Sequence, residues 1–301
     1  MVATWSLTWV NRWDTHRMDQ PAVDALIELL DLEAVEVNLF RGRSPDEDRQ
    51  RVFGGQVAGQ ALVAAARTVE ADHAVHSLHA YFLRPGDPAV PIVYQVDRVR
   101  DGRSFTTRRV LAVQHGEAIF GLSADFHIAE TGFDHQMAMP PGLPSPETLP
   151  DFHTRMEPWK DMLGDWYTRP RAIDTRYCDW RSPKDRTPGP PYENVWFKAN
   201  GNLPDDPVLH ACVATYASDM TVLDTSLRPH GGSGLGGVFM ASLDHAMWFH
   251  RPFRADEWLL YAQDTPSASG GLGLGRGLMY NQAGALVASV VQEGLIRAMR
   301  D

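Results

Sequence analysis

Residues 52–69, VFGGQVAGQALVAAARTV, are small or apolar on almost every side of a helical wheel. A helix without a polar face has to be covered all round. This stretch therefore limits the chain to folds that wrap one helix in something else, and the following residues supply the wrapping. Short apolar or alternating blocks run at 74–83 (AVHSLHAYFL), 91–99 (PIVYQVDRV), 105–114 (FTTRRVLAVQ) and 117–126 (EAIFGLSADF). The turn chemistries PGDP, RDGR and QHG separate them, so the expectation is a buried helix followed by a four-strand antiparallel meander.

The second half repeats the pattern. A strand is expected at 193–199, a helix at 207–223, and strands at 237–250, 257–265, 272–281 and 285–297. FLRP at 82–85 answers FHRP at 249–252, an offset of 252 − 85 = 167. Gly116 before EAIFGLSADF answers Gly284 before ALVASVVQEG, an offset of 168, and LFRGRSPDED at 39–48 answers WFKANGNLPDD at 196–206. Matches in register argue for an internal duplication. The expected division is an N-terminal extension 1–22, a unit 23–130, an ordered Pro-rich linker 131–190 crossing the face of both units, and a second unit 191–301. Two sheets paired edge to edge would leave fewer open edges.

The bulk numbers remove several classes of function. At 301 residues and 44% hydrophobic content the chain can fill a substantial core. A net charge of −10 with no basic stripe excludes nucleic acid as a partner. Two cysteines, Cys178 and Cys212, build neither a disulfide framework nor a metal site, so a reducing, cytoplasmic setting is expected. Trp5, Trp9 and Trp13 recur at fourfold spacing, but Arg12 and Asp14 break the apolar run a signal peptide needs. A short amphipathic extension, or a true start at Met18, fits better. No run reaches the ~18 apolar residues of a spanning helix, and membrane insertion is not expected.

Several easy chemical readings fail. Gly231-Gly232-Ser233-Gly234-Leu235 lacks the last Gly of a nucleophile elbow, and Gly273-Leu274-Gly275-Arg276-Gly277 stops short of a dinucleotide fingerprint. His73, His76 and His79 alternate faces on a strand, which argues against a metal site. In GVFMASLDHAMWFHRP, 237–252, the polar residues Ser242, Asp244 and His245 stand almost side by side. Period-2 alternation puts His245 on the face opposite Ser242 and Asp244, so the three are not expected to converge. Asp244 and His245 are expected to be structural or to line the mouth of a pocket.

Three polar residues embedded in apolar runs remain: Asp219 in ATYASDM, Ser242, and Gln292 in ASVVQEGLI. Taken singly, a helix-end Asp often bonds nearby backbone, and a strand Ser or Gln often faces solvent. By the two offsets, however, Ser242 answers Val75 and Gln292 answers Ala124, whereas Asp244 answers Ser77. Burial of polar groups in one half alone calls for a reason, and a site is the reason favoured.

At these residues the chain resembles the acyl-CoA thioesterase II family. The motifs are VFGGQVAGQAL (52–62), HSLHAYFLRPGD (76–87), VRDGRSFTTRRV (99–110), YASDM (216–220), LRPHG (227–231), SLDHAMWFHRPF (242–253), EWLLY (257–261) and VASVVQEGLIR (287–297), within about 24–135 and 165–298. The resemblance implies an α+β double hotdog, in which each unit wraps a curved antiparallel sheet around one long helix. It implies an acyl-CoA substrate, no cofactor or metal, and a hydrolytic water held by Asp219, Ser242 and Gln292. Ser242 stands where close relatives often carry Thr, and either hydroxyl donates and accepts. Asp219 would be the general base. Further assembly into a homo-oligomer is expected from exposed sheet faces and edges.

Two other readings compete with this one. A hotdog enoyl-CoA hydratase needs an Asp and a His placed together by one helix, yet Asp224 follows Asp219 and no His comes before His230. A non-catalytic acyl-CoA-binding module would not keep the polar trio. Acyl-chain preference is expected to be set by packing at residues such as Met220, Phe239 and Trp248.

Overall fold

The computed structural model describes residues 15–45, 50–232 and 237–298; the three N-terminal tryptophans lie outside them. The chain opens with α1 (Thr15–Leu30), β1 (Glu33–Glu36) and β2 (Leu39–Gly42). The central helix α2 (Gly54–Ala66) follows, then β3 (His73–Phe82), β4 (Ile92–Asp101), β5 (Phe105–Gln114) and β6 (Glu117–Ile128). Gly55 through Ala65 are all buried, as the unbroken apolar composition requires. Its two buried glutamines are satisfied: Gln56 donates to the Arg43 carbonyl, and Gln60 donates to the Leu29 carbonyl while accepting from the Tyr94 hydroxyl.

Residues 131–190 carry three short helices, α3 (Phe152–Met156), α4 (Lys160–Leu163) and α5 (Asp165–Thr168), and one strand, β7 (Ile173–Tyr177). The second half then runs β8 (Tyr192–Ala199), α6 (Pro207–Ser218), a 3-10 helix Leu223–His230, and β9 (Val238–Ser242), β10 (Asp244–Phe249), β11 (Leu259–Ser269), β12 (Leu272–Asn281) and β13 (Leu286–Ala298). The duplication sets a strand before each helix, and β2 and β8 fill those places, whereas α1, β1, β7 and the short helices have no counterpart in the pattern reading. Four- and five-residue strands on the margins of a sheet carry too little alternation to stand out.

All strands join one antiparallel sheet in the order β1-β2-β4-β5-β6-β3-β10-β13-β12-β11-β8-β7, with β9 paired to β13. The order within each half is the same, mirrored about the β3–β10 seam. His79 pairs with Ala246 in that seam, and 246 − 79 = 167, so the duplication offset read from sequence falls on the pseudo-twofold axis. Bulges repeat as well. The β3–β6 ladder shifts register between Val75 and Ser77, around His76. Leu243, at the same offset, interrupts the expected strand 237–250 and divides it into β9 and β10. Leu243 N–H still reaches the Glu293 carbonyl at 2.9 Å, and Asp244 Oδ1 accepts the Glu293 N–H at 2.7 Å, which closes the bulge.

The halves differ behind their helices. α6 ends at Ser218 instead of 223, and the chain tightens through Thr221 into the 3-10 helix. The glycines of GLGLGRG make room for it: a Cβ on Gly273 would strike Ser226, and one on Gly275 would meet the Val222 carbonyl at 2.5 Å. At the 167 offset the first half has Thr106 and Arg108, and the buried Arg108 side chain fills this space, donating to the Thr68 carbonyl and hydroxyl. Among the described residues no helix is long and apolar enough to cross a membrane.

Candidate active site

The two central helices pack antiparallel, so the end of α6 lies over the start of α2. Asp219 is the C-cap of α6. Its Oδ2 faces Gly54 so closely that a Cβ there would approach it to 2.7 Å, and its carboxylate accepts the Gly55 N–H. Two glycines opening a helix thus bring bare backbone and the positive end of a helix dipole against a carboxylate.

Asp219 Oδ1 accepts from Ser242 Oγ at 3.0 Å and from Gln292 Nε2 at 2.8 Å, and the same amide donates to Ser242 Oγ at 2.7 Å. The three residues singled out from sequence are therefore mutually bonded. Gln292 has no exposed surface. Burial raises the Asp219 carboxyl above the usual aspartate range, against a counter-pull from the His245 imidazole and the three donors.

His245 corrects the alternation argument. The bulge at Leu243 adds a residue between Ser242 and His245, which brings both to the helix-facing side. His245 is 1% exposed; its Nδ1 lies 2.6 Å from Gln292 Oε1, and its Nε2 2.8 Å from Ser218 Oγ. Burial holds its pKa below the ordinary imidazole value. Sequence alone gave no sign of the bulge. Asp244 serves the bulge itself, as expected of a structural residue.

Asp219 and Ser242 open onto a cavity of about 800 Å³. Its apolar wall includes Val52, Val57, Phe82, Phe120 and Leu223. The segment 131–190 supplies the opposite wall with Phe152, Trp166 and Tyr177, a contribution not anticipated from sequence. Two further carboxylates line it. Burial and the nearby Asp219 charge push Asp224 up to about 6, and Glu193, buried and ion-paired to Arg228, reaches about 7. Among the described residues no group of His, Cys, Asp and Glu is arranged to hold a metal ion.

A curved antiparallel sheet doubled around two helices, with a buried carboxylate, hydroxyl and amide at one helix junction, is a hotdog-type hydrolase architecture. Comparison with known proteins agrees. Residues 173–295 match the family model described as acyl-CoA thioesterase, and residues 43–127 match the acyl-CoA thioesterase N-terminal domain. The chain is 43% identical over 289 residues to human acyl-coenzyme A thioesterase 8, covering 89% of this chain and 88% of that one. It is 40% identical to acyl-CoA thioesterase 2 of Haemophilus influenzae, covering 90% and 96%. Among solved structures, the acyl-CoA thioesterase II TesB2 of Mycobacterium marinum superposes with a TM-score of 0.74 at 47% identity, covering 90% and 98%. The chain belongs to the acyl-CoA thioesterase family.

Proposed function

We propose that this protein hydrolyses acyl-CoA thioesters by direct attack of a water molecule that Asp219 deprotonates, with Ser242 at the cavity wall and the buried Gln292 behind it fixing the carboxylate that activates the water. The observation carrying this reading is the closed set of bonds from Ser242 and Gln292 to one oxygen of Asp219, with the other oxygen turned to the first turn of α2 at the cavity wall. Every partner of the carboxylate is a donor, an arrangement that favours the ionised, proton-accepting form despite burial.

In this reading the water loses a proton to Asp219 while its oxygen bonds the thioester carbonyl carbon, and the C=O pair moves onto oxygen. The charge on that oxygen is assigned to backbone N–H groups at the start of α2 other than that of Gly55, helped by the helix dipole. Collapse breaks the C–S bond, and Asp219 returns the proton to the departing CoA sulfur. Water is consumed, and a fatty acid and CoA are released.

The hydratase alternative needs a second acid or base facing the substrate. His245 is the imidazole beside Asp219, yet it stands behind Gln292 and is not part of the cavity lining, so it is screened from any substrate there. A division into units 23–130 and 191–301 belongs to the same reading, with β7 (Ile173–Tyr177), which answers β1 in the strand order and opens the second family match, joined to the second unit. A cytoplasmic setting is proposed on the two cysteines, both free thiols. Homo-oligomeric assembly is proposed on outward apolar side chains such as Tyr81 and Leu111.

The test is free-thiol release from acyl-CoAs of graded chain length by wild type and Asp219→Asn. Turnover by wild type and loss of about 10³-fold or more in the variant is expected. Binding of acyl-CoA without thiol release would turn the reading to a binding module, and hydration of crotonyl-CoA to a hydratase.

A further inference from the structure

We infer that His245 is a positioning residue: its Nδ1–H holds the Gln292 amide in the one orientation that presents two N–H groups to Ser242 and ionised Asp219. The inference rests on the hydrolytic reading of the Asp219 site and names a residue that reading does not use.

The argument is an inventory of protons. Gln292 has one amide NH2 and one carbonyl, and both sides of the amide are engaged. Toward the site lie a carboxylate oxygen, which only accepts, and the Ser242 hydroxyl. Toward the strand lies His245 Nδ1 at 2.6 Å. With the NH2 facing Asp219, the carbonyl oxygen faces His245, so Nδ1 must carry the proton. The far side of the ring allows this, because Ser218 Oγ lies 2.8 Å from Nε2 and donates to it.

The inverted amide is the competing state. Its oxygen would stand 2.8 Å from the Asp219 carboxylate, which is repulsive unless Asp219 already holds a proton. Its NH2 would then need an unprotonated Nδ1. The proton would sit on Nε2, and Ser218 would turn its own to the Thr215 carbonyl, 2.8 Å away. Two self-consistent chains therefore exist, one matched to ionised Asp219 and one to protonated Asp219. The Nδ1–H of His245 selects the first.

The first half has no such chain. Ala124 stands at the position of Gln292, and Leu78, at the 167 offset from His245, is fully buried and apolar. His245 is thus explained by the amide in front of it. The ionisable groups around the imidazole are Asp219 beyond the end of α6, Asp244 on its own strand, and Tyr261 from β11, whose hydroxyl donates to the Ser218 carbonyl at 3.3 Å.

The test is steady-state kinetics on His245→Leu, His245→Asn, Gln292→Leu and the double variant His245→Leu/Gln292→Leu, with folding checked by circular dichroism. His245→Leu is expected to lower kcat about 10- to 100-fold with KM little changed, in line with the effect of misplacing a catalytic group. Its acid limb of kcat/KM should move to higher pH, since Asp219 loses an oriented donor. His245→Asn, which keeps a donor near Nδ1, should recover most of the rate. In the Gln292→Leu background, removing His245 should change kcat no further. Full activity in His245→Leu, or additive losses in the double variant, would overturn the inference. If instead Asp219→Asn stays active, the hydrolytic reading fails first, and the two failures are told apart.

Discussion

The two helix junctions of this molecule are built alike and finished differently. Where α6 ends over the start of α2, the capping residue is Asp219, and Ser242 and Gln292 bond its carboxylate. Where α2 ends over the start of α6, the capping residue is Arg67, whose guanidinium is tied to the Leu32 carbonyl and to Asp31. That end borders a second cavity, of about 570 Å³, which α1 shares through Ile27 and Leu30. Strand positions follow suit, with Val75 and Ala124 standing at the offsets of Ser242 and Gln292. One frame therefore holds either a polar site or ordinary packing. The difference lies in a few residues and in one helix laid over the second junction.

This contrast can be broken most forcefully at the caps. Asp219→Asn should lower kcat by about 10³-fold or more, whereas Arg67→Gln should leave it within about twofold, both read by thiol release. Equal losses would mean that both junctions serve catalysis. Gly54→Ala comes next. The new methyl would meet Asp219 Oδ2 at 2.7 Å and the Phe82 ring at 2.8 Å, so the carboxylate has to shift. A kcat loss of about 100-fold is expected with the fold retained.

The packed half sharpens the comparison through stability. Ala124 is 1% exposed, and Ala124→Gln overfills its site, with an expected loss of about 1–3 kcal/mol in urea unfolding.

The smallest effects concern pH. Asp219 must be ionised to act, and burial raises its pKa above the ~3.9 of a free aspartate. The rate should therefore fall tenfold per unit as pH drops below that raised value. The stability sign follows from the same direction. A carboxyl whose folded pKa is raised binds its proton more tightly in the native state, so stability is lost as pH rises through the window between the unfolded and folded values. Asp219→Asn should therefore raise Tm at pH 7, with the gain vanishing as pH falls toward about 4, measured by calorimetry.

Much of this was legible beforehand, for a physical reason in each case. The covered helix followed from an unbroken apolar run, the duplication from matched turns, and the trio from polar residues set in apolar runs, two of which, Ser242 and Gln292, answer the apolar Val75 and Ala124. His245 was misread because alternation assumes an unbroken ladder, and a bulge leaves no mark in composition. The GLGLGRG run reads in sequence only as an incomplete dinucleotide fingerprint. Its actual task, leaving a bare strip of sheet for the segment after Asp219, depends on packing between distant residues. That 131–190 crosses the units is readable, but its place as a cavity wall through Phe152, Trp166 and Tyr177 is not, because Pro-rich, weakly periodic sequence does not show which side chains turn inward.

The β3–β10 seam has one more consequence. In a dimer of single units such a seam would be held by mass action and would open on dilution, taking with it a site whose carboxylate and facing helix come from opposite sides. Here both sides belong to one chain, so their pairing is intramolecular and does not depend on protein concentration. Activity per mole of chain should accordingly stay constant from micromolar to nanomolar protein, even where any larger assembly has come apart.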